Sequence, residues 1–415
     1  MSKNVKTALW IVWLAFAAAG VYGLYLRFFV GRELSNYGSY VPWGLWVSAY
    51  IYFIGLSAGA FLISSLIYVF GLRSLARLGR LALFTAAITL VMALAIIWLD
   101  IGHMWRAYEI LTRPNFHSMM AWMVWLYSAY FLLILAELWF EMRCDLAQRA
   151  HAGGPGARLS RILSLGWRCP EDAAALAACH RRSRRVLRVL GACGVPLAIA
   201  FHGGVGALFA TLASRPYWHH ALFPILFLTG ALVSGGALLL ALLALTGDDR
   251  DPELATTLRF LGRVVLGLLA FDLILEWSET SIPMWYGVGP DVDLYREILF
   301  GQFWYVFWIV HLLLGSVLPM ALLLWKPTAR WSAATGGLLI AVTFLAVRLN
   351  LVIPGQVTPA LKNLEHAYVD HRLVFHYVPS FFEWSMIAFI VSLGMAAFLI
   401  GWRLLPLSSS SPETV

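Results

Sequence analysis

A few side chains that can carry protons or fix a polar ligand interrupt long apolar stretches of this chain. Asp100 is followed three residues on by His103; Asp272 and Glu276 are one helical turn apart; Arg348 and Asn350 close a third stretch. His202 stands in Phe201-His202-Gly203-Gly204-Val205-Gly206, and Ser48 and Tyr50 follow Pro42-Trp43-Gly44. Ionisable groups inside apolar runs are expensive and point to function. Carboxylates and imidazoles can donate hydrogen bonds and relay protons. A quinone head group needs that set: donors to two carbonyls and a route for two protons on reduction. Each residue also has a plain reading. Asp100, Glu276 and Glu383 lie near helix ends where a carboxylate can reach water, Arg348 can serve one of them as an ion-pair partner, and His202 can be a packing histidine. Convergence on one level favours a site, because a small-molecule pocket combines apolar walls with a few fixed polar groups.

Other chemistries fit less well. A b-type haem needs two axial histidines at matched depth; His202 and His311 form one such pair, but no helix carries the second histidine that a stacked two-haem cytochrome requires. Cys144, Cys169, Cys179 and Cys193 contain no C-x-x-C pair, and His219-His220 is isolated from them. No haem, iron–sulfur cluster or metal site is therefore expected in this chain, and no residue is assigned a catalytic role of its own.

The elements that hold these residues must be membrane helices. Of 415 residues, 61% are hydrophobic and 13% charged, far from the balance of a soluble domain. The net charge of +8 reflects loops beside apolar spans and implies a membrane surface, not nucleic acid. Ten spans are predicted, near 8–28, 43–70, 81–100, 119–140, 188–213, 219–246, 259–278, 303–325, 333–353 and 382–403. Of the 30 Lys and Arg, 21 fall on the face carrying the termini and 9 on the other, which places both termini in the cytoplasm. Lys3 and Lys6 precede a first span read as retained, with no cleavage site. The basic loop 141–187, with Gly153-Gly154-Pro155-Gly156, reads as a solvated cytoplasmic linker that keeps its thiols reduced. The outer loops 29–42, 101–118, 214–218, 279–302 and 354–381 are long and carry Trp105, Trp285-Tyr286, Tyr368 and Tyr377, which suggests a docking surface.

A repeat organises the spans. Gly55, Ser57 and Gly59 form a small-residue seam for close helix approach, and Ser234-Gly235-Gly236 reproduces it in a helix read as opening at Tyr217-Trp218. The helix after the first seam ends at Asp100, and the one after the second is expected to end at Glu276. Four spans per copy make the copies parallel, related by an axis along the membrane normal. The fold expected is an all-α integral membrane protein forming one membrane domain, 1–415: first helix 1–42, first four-helix unit 43–213, second unit 219–353, and loop, last helix and tail 354–415.

At these residues the chain resembles the NrfD/polysulfide reductase membrane-subunit family, in its ten-span branch. The resemblance rests on Pro42-Trp43-Gly44-Leu45-Trp46, Gly55-Leu56-Ser57-Ala58-Gly59, Asp100-Ile101-Gly102-His103, His202-Gly203-Gly204-Val205-Gly206, Pro216-Tyr217-Trp218, Ser234-Gly235-Gly236 and Arg348-Leu349-Asn350-Leu351-Val352, in order over nearly the whole chain. It implies a haem-free subunit of a respiratory complex in the bacterial cytoplasmic membrane. Such a subunit reacts with menaquinone or ubiquinone. Its implied partners are a periplasm-facing iron–sulfur subunit and, beyond it, a molybdopterin or hydrogenase catalytic subunit. The family's quinol position, at the outer face of the first unit, maps onto Ser48, Tyr50, Asp100 and His202; His202 stands where some members have Tyr. Polar residues through the units are proton paths in some members, and Glu137 is the chief inner candidate here. The competing readings are a structural or proton-conducting subunit without a quinone site, and a secondary transporter.

Overall fold

The computed structural model describes residues 3–407 apart from 154–155, 169–172, 249–250, 290, 360, 362, 368–369 and 371. Cys169, Tyr368 and Gly154-Pro155 thus lie outside the described residues. The described chain is helical, with no strand among its residues. Its long helices are α1 (Lys3–Phe29), α2 (Leu45–Tyr68), α3 (Gly79–Asp100), α4 (Met119–Ala152), α5 (Ala173–Ala210), α6 (Phe223–Thr246), α7 (Leu254–Tyr286), α8 (Val306–Val317 continuing as Leu318–Trp325), α9 (Arg330–Val352) and α10 (Phe381–Leu404). Among the described residues, nine of these are long and apolar enough to cross a membrane. The tenth, α7, has the length, with 33 residues, but carries Arg259, Arg263, Asp272, Glu276 and Glu279. The protein is an all-α integral membrane protein.

Two rings of four helices carry the same order of contacts. In the first, α2 packs on α3, α3 on α4, α4 on α5, and α5 back on α2. In the second, α6 packs on α7, α7 on the end of α8, α8 on α9, and α9 back on α6. The rings meet along α2 and α6. A Cβ on Gly59 would run into the carbonyl of Ala231, and one on Gly235 into the backbone of Gly59 and Ala60, so each seam glycine admits the other helix's backbone. Ser57 faces the other way, donating to Ala86 O at 2.8 Å. Helices α1 and α10 pair with each other and lie against α3.

Several boundaries differ from the sequence expectation. The second repeat's helix starts at Phe223, so Tyr217 and Trp218 sit in the preceding turn, where Trp218 Nε1 donates to Leu351 O at 2.9 Å. Helix α7 continues ten residues past Glu276 and stops at Gly287, whose φ of 62° is the left-handed terminator that glycine supplies. The basic stretch 141–187 is not a plain linker, since α4 runs to Ala152, Ala157–Leu163 is helical and α5 begins at Ala173. At about 1.5 Å per residue, α4 and α5 are both far longer than a ~30 Å hydrocarbon layer and project beyond it. The opening Pro42-Trp43-Gly44-Leu45-Trp46 is more than an interfacial belt. Trp46 is fully buried, and Gln356 brackets Trp43 by accepting from its N–H (3.0 Å) and donating to its carbonyl (2.7 Å).

Candidate functional site

The polar residues gather in three places. The first is the mouth of the first unit, where α3 ends at Asp100. Arg32 forms an ion pair with Asp100 at 3.0 Å, and Arg27 donates to Leu99 O (2.7 Å) and Ile101 O (2.9 Å), satisfying carbonyls that a helix end leaves open. Asp100 and Arg27 are both buried. Phe28, Trp98 and Trp105 cluster beside them, with ring centroids 5.7–6.4 Å apart. Trp105 is largely exposed. The mouth is thus a charged pair bordered by aromatic faces.

The neighbouring loops are bolted down by a second carboxylate. Glu383 accepts from Asn36 N (3.0 Å), Ser380 N (3.2 Å) and the Tyr377 hydroxyl, and Ser380 caps α10 in return. Tyr377 accepts from Leu45 N at 2.8 Å and Tyr37 from Trp46 N at 3.3 Å, so two phenols cap the start of α2. Gly44 is required there, because a Cβ would strike the Tyr377 ring. Burial pushes both phenols up from the ordinary tyrosine range, and the nearby carboxylates, Asp100 for Tyr37 and Glu383 for both, add to the shift, keeping the phenols neutral.

The second place is a column of hydroxyls inside the first unit. Tyr50 and Tyr127 share a 2.6 Å hydrogen bond; further along, the Tyr130 hydroxyl bonds Ser57 O at 3.1 Å. Glu137 follows two turns along α4, fully buried, with neither carboxyl oxygen hydrogen-bonded among the described residues. Ser48 is buried and turned back onto Gly44 O at 3.0 Å.

The third place is the second unit. Asp272 accepts from Thr229 at 2.6 Å, Glu276 meets His311 Nε2 at 3.2 Å, and Glu279 meets His220 Nε2 at 2.6 Å. Arg348 is buried over the rings of Phe227 and Phe344, at 4.8 and 5.1 Å. It shares the carbonyl of Phe227 with His202, whose Nε2 lies 2.7 Å from that oxygen while its Nδ1 has no partner among the described residues. Asp272, Glu276, Glu279, His311, Arg348 and Asn350 line one cavity of about 60 Å³, room for a few waters and not for a ring. His311 sits in the π-helical half of α8, a conformation that recurs at functional sites.

The structure therefore divides the residues singled out in the sequence. Asp272, Glu276, Arg348 and Asn350 come together, and His202 joins them through Phe227, away from Asp100. His103 does not face Asp100, because α3 stops there, Ile101 is extended (ψ 131°) and His103 is exposed. The two histidines weighed for haem direct Nε2 to Phe227 O and to Glu276. Among the described residues no group of three or more His, Cys, Asp or Glu is placed to hold a metal ion. Arg32, Thr229 and His311 were missed as site residues. The first is a loop arginine, the second one hydroxyl in an apolar run, and the third was read only as a haem option.

Comparison with known proteins gives a consistent picture. The family model described as "Polysulphide reductase, NrfD" matches residues 33–360. A selenate reductase subunit of Mesobacillus selenatarsenatis is 36% identical over 398 residues, covering 96% of this chain and 93% of that protein. The Hdr-like menaquinol oxidoreductase integral membrane subunit of Archaeoglobus fulgidus is 29% identical over 96% of this chain and 93% of its own length. The menaquinone reductase integral membrane subunit of Nitratidesulfovibrio vulgaris is 21% identical over 97% and 93%.

Proposed function

The chain belongs to the NrfD polysulfide reductase family, and on that premise we propose that it is the quinone-reactive membrane subunit of a respiratory oxidoreductase, with the head group received at the mouth of the first unit. The observation that carries this is the buried Asp100, paired with the half-open Arg32 and set beside Phe28, Trp98 and Trp105. Arg32 is a hydrogen-bond donor to a quinone carbonyl, Asp100 a proton carrier within reach of it, and the aromatic faces suit a ring arriving from the lipid. Tyr50 with Tyr127 supplies further hydroxyls in the same unit, and the names of two relatives favour menaquinone.

Electrons pass to or from an iron–sulfur subunit docked on the Asp100 face, which is the periplasmic side, and on to a molybdopterin or hydrogenase subunit. Both termini are then cytoplasmic, in the bacterial inner membrane. The chemistry of electron transfer belongs to those partners and to the quinone; this chain binds, orients and moves protons. A second reading, proton handling by the second unit, is favoured by the Glu276–His311 pair beside the buried Asp272, around a water-sized cavity.

The test is to purify the tagged full chain from its native membrane in mild detergent, extract quinone with solvent and identify the proteins that accompany it. Quinone is expected with the wild-type chain and lost from Asp100→Asn, together with an iron–sulfur partner in both preparations. A chain that comes alone, without quinone, and moves a solute when reconstituted overturns the reading in favour of a transporter.

A further inference from the structure

On the face opposite Asp100 the projecting ends of α4 and α5 bring two thiols into contact. Cys144 Sγ and Cys179 Sγ lie 3.9 Å apart and are not joined by a disulfide. Their surroundings hold them in place. Arg143 donates to Cys179 Sγ at 3.5 Å and to Ser183 Oγ at 2.9 Å, and its guanidinium packs on Phe140 and Trp167, each 4.9 Å from the ring centroid. Cys144 is buried, Cys179 is partly open, and Cys193 is exposed farther along α5. A disulfide needs its sulfurs at about 2.05 Å, so closure asks for an approach of about 2 Å, which side-chain rotation at two helix ends can supply.

We infer that Cys144 and Cys179 are a two-cysteine redox site, in which a peroxide oxidises Cys179 and Cys144 resolves it to a reversible disulfide joining α4 to α5. In the first step the Cys179 sulfur takes an oxygen from hydrogen peroxide, giving a sulfenic acid and one water. In the second the Cys144 sulfur attacks, an S–S bond forms, the S–O bond breaks and a second water leaves. A dithiol reverses the step and is itself oxidised to a disulfide. The difference in exposure sets the order of attack, since the open sulfur is reached first and the enclosed one is positioned to resolve it. A labile pair of this kind suits a reducing compartment, where disulfides are transient and sensing rather than structural. It pins the end of the helix pair that carries Tyr127, Tyr130 and Glu137 on α4.

The experiment treats membranes containing the full chain with hydrogen peroxide, blocks remaining thiols with a maleimide and maps the peptides by mass spectrometry. A Cys144–Cys179 cross-linked peptide is expected, reversed by dithiothreitol and unaffected by Cys193→Ser. Cys144→Ser leaves a dimedone-reactive sulfenic acid on Cys179, and Cys179→Ser abolishes both products. Wild-type chain in which both thiols stay maleimide-reactive while Cys193 is oxidised overturns the inference, as does a sulfenic acid confined to Cys144.

Discussion

The two four-helix units share a ring order and a glycine contact, yet their interiors are built from different chemistry. Midway along its helices the first holds hydroxyls, His202 and the carboxyl of Glu137, and its ion pairs lie towards the two ends, Asp100 with Arg32 at one and Arg80 with Glu141 and Asp145 at the other. The second buries Asp272, His311 and Arg348 side by side, with the partly open Glu276 and Glu279 on the same cavity. The common scaffold includes a shared glycine contact, which fixes how closely α2 and α6 approach whatever the remaining side chains are. The difference teaches where each unit can work. On the function proposed above, a unit with a half-open ion pair at its rim presents it to a ligand entering from lipid. On the second reading proposed above, a unit that gathers charges around water-sized space handles protons.

The sharpest way to break this contrast is to remove the cation of the second unit. Arg348 is almost wholly enclosed, and Asp272 and Glu276 line the same cavity. Taking one charge from a buried set leaves the rest uncompensated, at a cost of about 3–5 kcal/mol. Arg348→Ala should therefore lower the unfolding midpoint in a fixed detergent more than any other change considered, whereas Arg32→Ala, at a half-open rim, should barely move it. Equal losses would show that the two units do not differ in how they hold charge.

Next in size is a split in activity. Asp100→Asn should lower quinol-linked turnover of the assembled complex about 100-fold, the usual scale for a positioned proton carrier. Glu276→Gln should leave quinol oxidation with an artificial acceptor within about twofold and reduce proton movement instead. The measurement is turnover of a soluble quinol analogue alongside pH change in proteoliposomes. If Glu276→Gln abolishes turnover and Asp100→Asn does not, the assignment of ligand to the first unit is reversed.

Much of this was legible in the sequence, for reasons that differ by residue. The spans follow from apolar length, and the four-helix period follows from Ser57 and Ser234 with their glycines. Asp272 with Glu276 could be read as one face because four residues is one turn of a helix that does continue. The same logic failed for Asp100 and His103, since nothing in Ile101-Gly102 announces that the backbone turns extended immediately after Asp100. Arg32 was hidden because a loop arginine carries no periodicity; Glu383, read as a carboxylate near a helix end that can reach water, is instead fully buried, because its three donors come from loops whose shape the sequence does not show. The placement of His202 in the second unit's network depends on Phe227 O, a backbone group that no residue type reveals. Helix α7 was cut short at Glu276 because its charges looked like an end, while the structure uses them inside.

A smaller effect tests the seam itself. A Cβ at Gly55 would sit at ordinary contact, 3.6–3.7 Å from His202, Ala231 and Ser234, while one at Gly59 would press into the Ala231 carbonyl. Gly59→Ala is therefore expected to cost about 2 kcal/mol by overpacking two backbones that cannot give way, and Gly55→Ala to be neutral within about 0.5 kcal/mol. Thermal midpoints of the two variants in one detergent check this. Similar values would mean that the units meet loosely and that their ring order alone, not the seam, holds them together.

The smallest expected effect concerns His103, the residue most tempting to pair with Asp100. It is exposed beyond the end of α3, in a short turn where Trp98 Nε1 is already bonded to Met104 O at 2.9 Å. His103→Ala should change stability by less than about 0.5 kcal/mol, the range for an exposed side chain without buried partners. If the head group is held by Asp100 and Arg32 alone, quinol turnover is also unchanged, and its pH profile does not shift. A loss of turnover comparable to that of Asp100→Asn would instead mean that the loop 101–118 folds inward when the partner subunit docks, moving the imidazole into the site. The rim of the first unit would then be completed by its partner, while the polar set of the second unit draws all its described partners from this chain.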